Sequence, residues 1–215
     1  DGAFPVRQLA DVAEFLDSRR KPVKESDRHP GPYPYYGANG QQGTIDGYIF
    51  DEPLILLAED GGFFDQPDRG IAYRISGKTW VNNHAHVIRP REGMDFAFLC
   101  RVLENYNVLP YISGSTRAKL TKGQAQKIEI PVPPLDEQKR IAEILDQADE
   151  LRRKRQRAID GSGQLGQAIF SEMFGNFDQG SLPIACLGDL TSKIGSGATP
   201  KGGESAYKAE GTPLI

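Results

Sequence analysis

The sequence predicts an α+β chain: a mixed, β-rich domain, a long spacer helix of coiled-coil type, and the start of a second domain built like the first. Three observations carry this. Short apolar runs, alternating or continuous and bounded by Gly, Pro and Asn, recur from Phe4 to Val132, as strands and turns do. Beyond Leu135 the period changes, and Ile141, Ile144, Ala148, Leu151, Ala158, Leu165 and Ile169 form a seam spaced by three and four, with Arg155 and Ser162 at its two non-apolar positions. Finally, residues 4–12 lie over 182–190 without a gap, Pro22 falls on Pro200 in the same register, and Pro34 falls on Pro213 after a one-residue slip. A period this long means tandem domains, not a solenoid. The expected boundaries are 1–130 for the first domain, 131–175 for the helix and 176–215 for the beginning of the second.

Composition sets the outer limits. With 38% hydrophobic residues in 215, the chain supports an ordinary core. It has no apolar run of membrane-spanning length and no signal-peptide pattern at its start, so a cytoplasmic protein with no membrane partner is expected. Cys100 and Cys186 fall in different domains and outside any CxxC spacing, which suits reduced packing residues. A formal charge of −3 argues against indiscriminate coating of nucleic acid and leaves room for a local basic face.

In chain order, residues 4–16 read as an apolar strand with a short continuation. Arg19, Arg20, Lys21 and Lys24, around Pro22, form a basic loop suited to phosphate contact or to plain solvation. Asn39-Gly40 is the strongest turn signal. It is flanked by Tyr35, Tyr36, Gln41 and Gln42, a tight hairpin whose amides could also read adenine edges. Residues 45–50 and 53–58 read as consecutive strands, the second holding the buried run Leu54-Ile55-Leu56-Leu57-Ala58. Glu59 and Asp60 end it, and on an extended chain adjacent carboxylates diverge. Residues 71–75 are another strand. Residues 78–90 are the densest polar stretch and place His84 and His86 on one strand face. An H-x-H pair occurs in metal sites, but no third ligand lies at a helpful spacing and the only other histidine is His29, so a hydrogen-bonded strand beside Trp80 is expected and no metal.

Residues 95–103 read as a helix with an apolar face of Phe96, Phe98, Leu99, Val102 and Leu103. Residues 111–122 combine Ser113, Ser115 and Thr116 with Arg117, Lys119 and Lys122, as a phosphate-gripping surface or an ordinary loop would. Ile128, Ile130 and Val132 alternate as a half-buried strand. Pro131, Pro133 and Pro134 stop it, and Asp136 and Glu137 suit the first turn of the long helix. Unbroken, about 40 residues give a rod of roughly 60 Å. Gly161 and Gly163 offer a hinge within it. Such a seam needs a partner helix.

The blocks PYPYYGANGQQGTIDGYIF, LLAEDGG, WVNNHAHVIRP, YISGSTRAKL and IPVPPLDEQKRIAEIL, in this order and spacing, resemble the specificity subunit of type I restriction–modification systems. That resemblance implies a non-catalytic subunit with two target recognition domains, each reading half of a split double-stranded DNA site, separated by long helices. It implies docking of methyltransferase subunits along those helices, and a restriction subunit that joins them. S-adenosylmethionine is then expected in the methyltransferase partner and no cofactor in this chain. A rod of roughly 60 Å matches about 17 base steps. The DNA-facing residues chosen on this basis are Arg19, Arg20, Lys21, Tyr36, Asn39, Gln41, Gln42, Lys78, Arg117, Lys119 and Lys122. The short second copy also fits a half-size subunit whose homodimer restores two domains. The alternatives are a coiled-coil adaptor without DNA contact and a metal-dependent hydrolase built on Glu59, Asp60, His84 and His86.

Overall fold

The computed structural model describes residues 4–66, 69–114, 118–175 and 185–193. The first and last strands of the domain close on each other: β1 (Val6–Gln8) pairs antiparallel with β10 (Glu129–Pro131), Arg7 opposite Ile130. The alternation at 128–132 serves this closure, since Ile128 and Ile130 are fully buried and Glu129 points outward. A single turn, α1 (Leu9–Val12), buries Leu9 and Val12 and leads into β2 (Ala13–Phe15).

Strand β2 joins an antiparallel sheet with β9 (Ala85–Pro90), β6 (Leu54–Ala58) and β7 (Ala72–Ile75), in the order β2-β9-β6-β7. All five residues of β6 are buried because the strand is covered on both faces. Ile55 and Leu57 enter one apolar cluster with Phe98, Leu99 and Leu103, and Leu54 and Leu56 enter another with Phe50, Val81 and Val87. Side chains alternating across one strand therefore feed two cores. The first cluster is roofed by α2 (Phe96–Glu104), whose N-cap Asp95 accepts a 2.8 Å hydrogen bond from the Phe98 amide. The second draws on a further sheet, β4-β3-β8-β5, made of β3 (Tyr33–Gly37), β4 (Gly40–Ile45), β5 (Phe50–Asp51) and β8 (Lys78–Val81). Here β3 and β8 run parallel, Tyr35 opposite Trp80.

Two details differ from expectation. Residues 45–50 are not one strand: β4 ends at Ile45, β5 begins at Phe50, and the Asp46-Gly47 turn lies between, with Gly47 packed against the Trp80 ring. The hairpin expected at Asn39-Gly40 does form. Ala38 and Asn39 form the hairpin tip and Gly40 alone is left-handed, at φ 112°. His84 sits in the turn between β8 and β9 while His86 is fully buried in β9, so the two do not share a strand face.

A short turn, α3 (Lys122–Ala125), precedes β10, and the helix α4 (Leu135–Phe174) then runs 40 residues without a break through Gly161 and Gly163. Backbone contacts divide the chain into two units, 1–155 and 156–215. In the first, Gln138 and Ala142 are buried and Ile141 packs on the core. The seam is otherwise open. Ile144, Ala148, Leu151, Ala158, Leu165 and Ile169 are all exposed. In the second unit α5 (Leu187–Leu190) repeats α1: the preceding residues Gln8 and Cys186 have φ,ψ of −69°, 148° and −68°, 141°, and the following residues Ala13 and Thr191 are both extended. Cys100 is buried as expected, whereas Cys186 is exposed and packs against no core among the described residues.

Candidate nucleic-acid interface

The parallel pairing of β3 with β8 brings the Asn82–His84 turn beside the hairpin. The Asn82 amide is buried and fully engaged. Its backbone N–H donates to Tyr36 O (3.0 Å), its Nδ2 donates to Gln42 Oε1 (3.0 Å), and its Oδ1 accepts from the His84 amide (2.8 Å). Gln42 is exposed but fixed from below, because a Cβ on Gly37 would lie 2.3 Å from its Nε2. Opposite, Arg28 stacks 4.0 Å over the buried Tyr35 ring and donates from Nε to Val23 O (3.2 Å). Together Pro22, Val23, Lys24, Arg28, Tyr35, Gln42, Asn82, Asn83 and His84 line a cleft of about 470 Å³. Two cations and five hydrogen-bonding side chains line it and no carboxylate does.

An ion network adjoins this cleft through Arg20, whose Nη1 lies 3.5 Å from the Asn83 carbonyl oxygen. His86 is fully buried, with Nδ1 2.7 Å from Asp17 Oδ2 and Nε2 2.8 Å from Leu120 O. Both ring nitrogens face acceptors. The Arg20 guanidinium donates to Glu59 Oε2 (2.6 Å) and Ala85 O (2.7 Å) and lies 3.6 Å from Asp17, and Lys119 Nζ is 3.0 Å from Glu59 Oε1. Burial alone would raise the Asp17 carboxyl, but the His86 hydrogen bond and charge, the Val87 N–H and Arg20 together hold it below the usual carboxylate range. Glu59 follows the same pattern: burial opposes ionisation, and hydrogen bonds from Arg20 and Lys119 outweigh it. Asp17, Glu59 and His86 offer ligand atoms within 4.8 Å of one another, and these are already engaged, the Glu59 oxygens by Arg20 and Lys119 and the His86 Nδ1 by Asp17 Oδ2. Asp60 pairs instead with His84, so the adjacent carboxylates do diverge.

The residues chosen from sequence scatter around this arrangement. Gln42 enters the cleft. Lys21 is exposed, its carbonyl accepting from Trp80 Nε1 (2.6 Å). Asn39 ties the hairpin tip to Gly61 O (2.8 Å), and Gln41 bonds Gly43 O (3.0 Å). Tyr36 is half-buried against Tyr73. Arg20 and Lys119 belong to the ion network. Lys122 is exposed, its Nζ 5.9 Å from the Phe15 ring centre. Arg19 and Lys78 lie elsewhere: Arg19 donates to Ile49 O (3.0 Å) and pairs with Glu52, and Lys78, at the opposite end of β8 from Asn82, covers Tyr48. Arg117 lies outside the described residues.

Comparison with known proteins decides the family. Residues 3–160 match the family model of the type I restriction modification DNA specificity domain. The chain belongs to this family. Among curated specificity-domain relatives, a type I restriction enzyme specificity subunit of Haemophilus influenzae is 43% identical over 140 residues, covering 65% of this chain and 36% of its own. The EcoprrI specificity subunit of Escherichia coli is 29% identical over 119 residues, 55% of this chain and 28% of its own. Two solved structures share the fold at a TM-score of 0.59: a type I R-M system chain (20% identity, 82% of this chain, 47% of that one) and the S subunit of M. genitalium (15% identity, 80% and 46%). The chain thus spans about a third of the length of its curated relatives and just under half of the solved ones.

Within this specificity domain, sequence reasoning missed Arg28, Asn83 and the anchoring Asn82, and gave His84 only a metal or strand role. The 78–90 stretch stood out as polar, but nothing in it announced a parallel partner more than 40 residues upstream, and Arg28 carries no local signal.

Proposed function

We propose that this chain is the DNA-reading, non-catalytic part of a type I restriction–modification complex, with residues 1–130 recognising one half of a split double-stranded site. The carboxylate-free cleft of Lys24, Arg28, Gln42, Asn82, Asn83 and His84, on a chain of net charge −3, carries the reading. Cations position a phosphate backbone, and a held amide such as Gln42 presents donor and acceptor together to an adenine edge. The exposed seam Ile144, Leu151, Leu165 and Ile169 supports docking of methyltransferase subunits, which would hold the S-adenosylmethionine. A restriction subunit and a cytoplasmic site of action complete the proposal. The repeat of α1 as α5 supports a second recognition domain beginning in residues 176–215. Leu187 and Leu190 are 65% and 71% exposed where Leu9 and Val12 are buried, so among the described residues they lack the core their counterparts have.

Co-expression with a methyltransferase subunit and genome-wide mapping of methylated adenine tests this. Methylation at a split motif with a fixed gap is expected, and a palindromic one would mark a half-size subunit working as a homodimer. No new methylation, together with no retention on duplex DNA, would leave the adaptor role.

A further inference from the structure

We propose that Arg74, Arg101 and Asp146 form a latch that sets the angle at which the recognition domain is carried on α4, and through it the gap between half-sites; the second clause rests on the DNA reading above. Helix α4 is fastened to the domain at two points. The first is apolar and hydrogen-bonded: buried Gln138 accepts from the Asp95 amide (2.7 Å) and donates to Gly93 O (3.1 Å) and Pro133 O (2.9 Å), beside buried Ala142. The second is ionic. Arg74 grips Asp146 with both arms, Nη1 to Oδ2 and Nη2 to Oδ1, each at 2.9 Å, and Arg101 Nε adds a 2.7 Å bond to Oδ1. Arg101 Nη2 reaches Asp149 at 3.3 Å, and Glu104 holds its Nη1 at 2.8 Å.

The two cations stand on different elements, Arg74 on the edge strand β7 and Arg101 on α2, so Asp146 is triangulated by the domain. One fastening defines a pivot, and two defines a direction. Gln138 and Asp146 are eight residues apart, about 12 Å along the axis. Without the second point, a tilt of about 10° displaces the axis by about 2.6 Å for every ten residues of helix beyond it, close to the base step of about 3.4 Å. Partly exposed ion pairs add little stability, and Arg74 and Asp146 retain 32% and 37% exposure. A forked arginine–carboxylate pair is strict in direction. The arrangement is therefore weak as a clamp and strong as a guide.

Two readouts test the latch on the full chain. With Cys186→Ser, nitroxides on Ser76→Cys and Arg155→Cys report the distance between domain and helix by pulsed electron resonance. A single narrow distribution is expected with the latch intact, and one at least twice as broad in Asp146→Ala and Arg74→Ala. In co-expression with the methyltransferase, the same variants should raise methylation at motifs with a gap one base pair longer or shorter at least tenfold over background. A narrow distance and a single gap in both variants would overturn the proposal. Asp146→Asn, which keeps shape and drops charge, is made in parallel. Loss of folding in it and in Asp146→Ala would also overturn the latch, by showing the pairs to be a stability element. If the unmodified complex methylates no split motif, the DNA reading fails while the distance measurement still judges the latch.

Discussion

Arg20 and Lys24 sit four residues apart in one basic stretch and have different fates. Arg20 is 13% exposed and spends its guanidinium on Glu59, Asp17 and the Ala85 carbonyl, whereas Lys24 faces the cleft. Composition could not separate them, because both read as loop cations, and only long-range contacts tell a brace from a phosphate contact. Arg20→Ala should cost on the order of 2–3 kcal/mol in urea unfolding, the lower side of what an abandoned buried carboxylate costs, since some water reaches the site. Lys24→Ala should stay within about 0.5 kcal/mol of the parent while reducing the salt dependence of DNA binding by about one unit of slope. The pH response has a definite sign. Asp17 and Glu59 are held below their ordinary values of 3.8 and 4.5 in the folded chain, so the unfolded chain binds protons first as the medium acidifies. Their contribution is complete above about pH 5 and drains as pH falls through the lowered folded values. Urea midpoints between pH 6 and pH 3 should fall for the parent and Lys24→Ala in parallel, and less steeply for Arg20→Ala.

Elements were legible where local chemistry decides them. Pro131, Pro133 and Pro134 stop β10 and release α4 at Leu135, and the run at 54–58 is a strand buried on both faces. Legibility failed at 45–50, where apolar residues at both ends suggested one strand but Asp46-Gly47 turns beneath Trp80. It failed also at the cleft, since the parallel β3–β8 register joins residues that no local pattern links. The glycines of α4 are a third case. Propensity argues for a hinge at 161–163, yet the helix is continuous, and a Cβ on Gly161 or Gly163 would meet nothing within 4 Å. Gly161→Ala with Gly163→Ala should therefore stabilise the helix by about 1 kcal/mol per site. Thermal melting of helical ellipticity should shift upward. An unchanged melt would mean that the glycines are not in helical conformation in solution.

At the scale of the molecule, the chain carries an apolar seam that its first unit covers only at Ile141. Large apolar side chains in register along an exposed helix mark a contact surface. Leu151 and Leu165 are 60% and 57% exposed, so replacing them removes little burial from the chain itself. Leu151→Glu with Leu165→Glu should leave the urea midpoint of the domain within about 0.5 kcal/mol of the parent. Assembly is another matter, because a carboxylate at two seam positions must be desolvated against a partner helix. Co-purification of the methyltransferase subunit on tagged chain should fall at least tenfold, while retention of the isolated chain on duplex DNA is unchanged. Assembly that survives both substitutions would move the docking surface off the seam. Loss of DNA retention along with assembly would show that the seam supports the recognition domain itself.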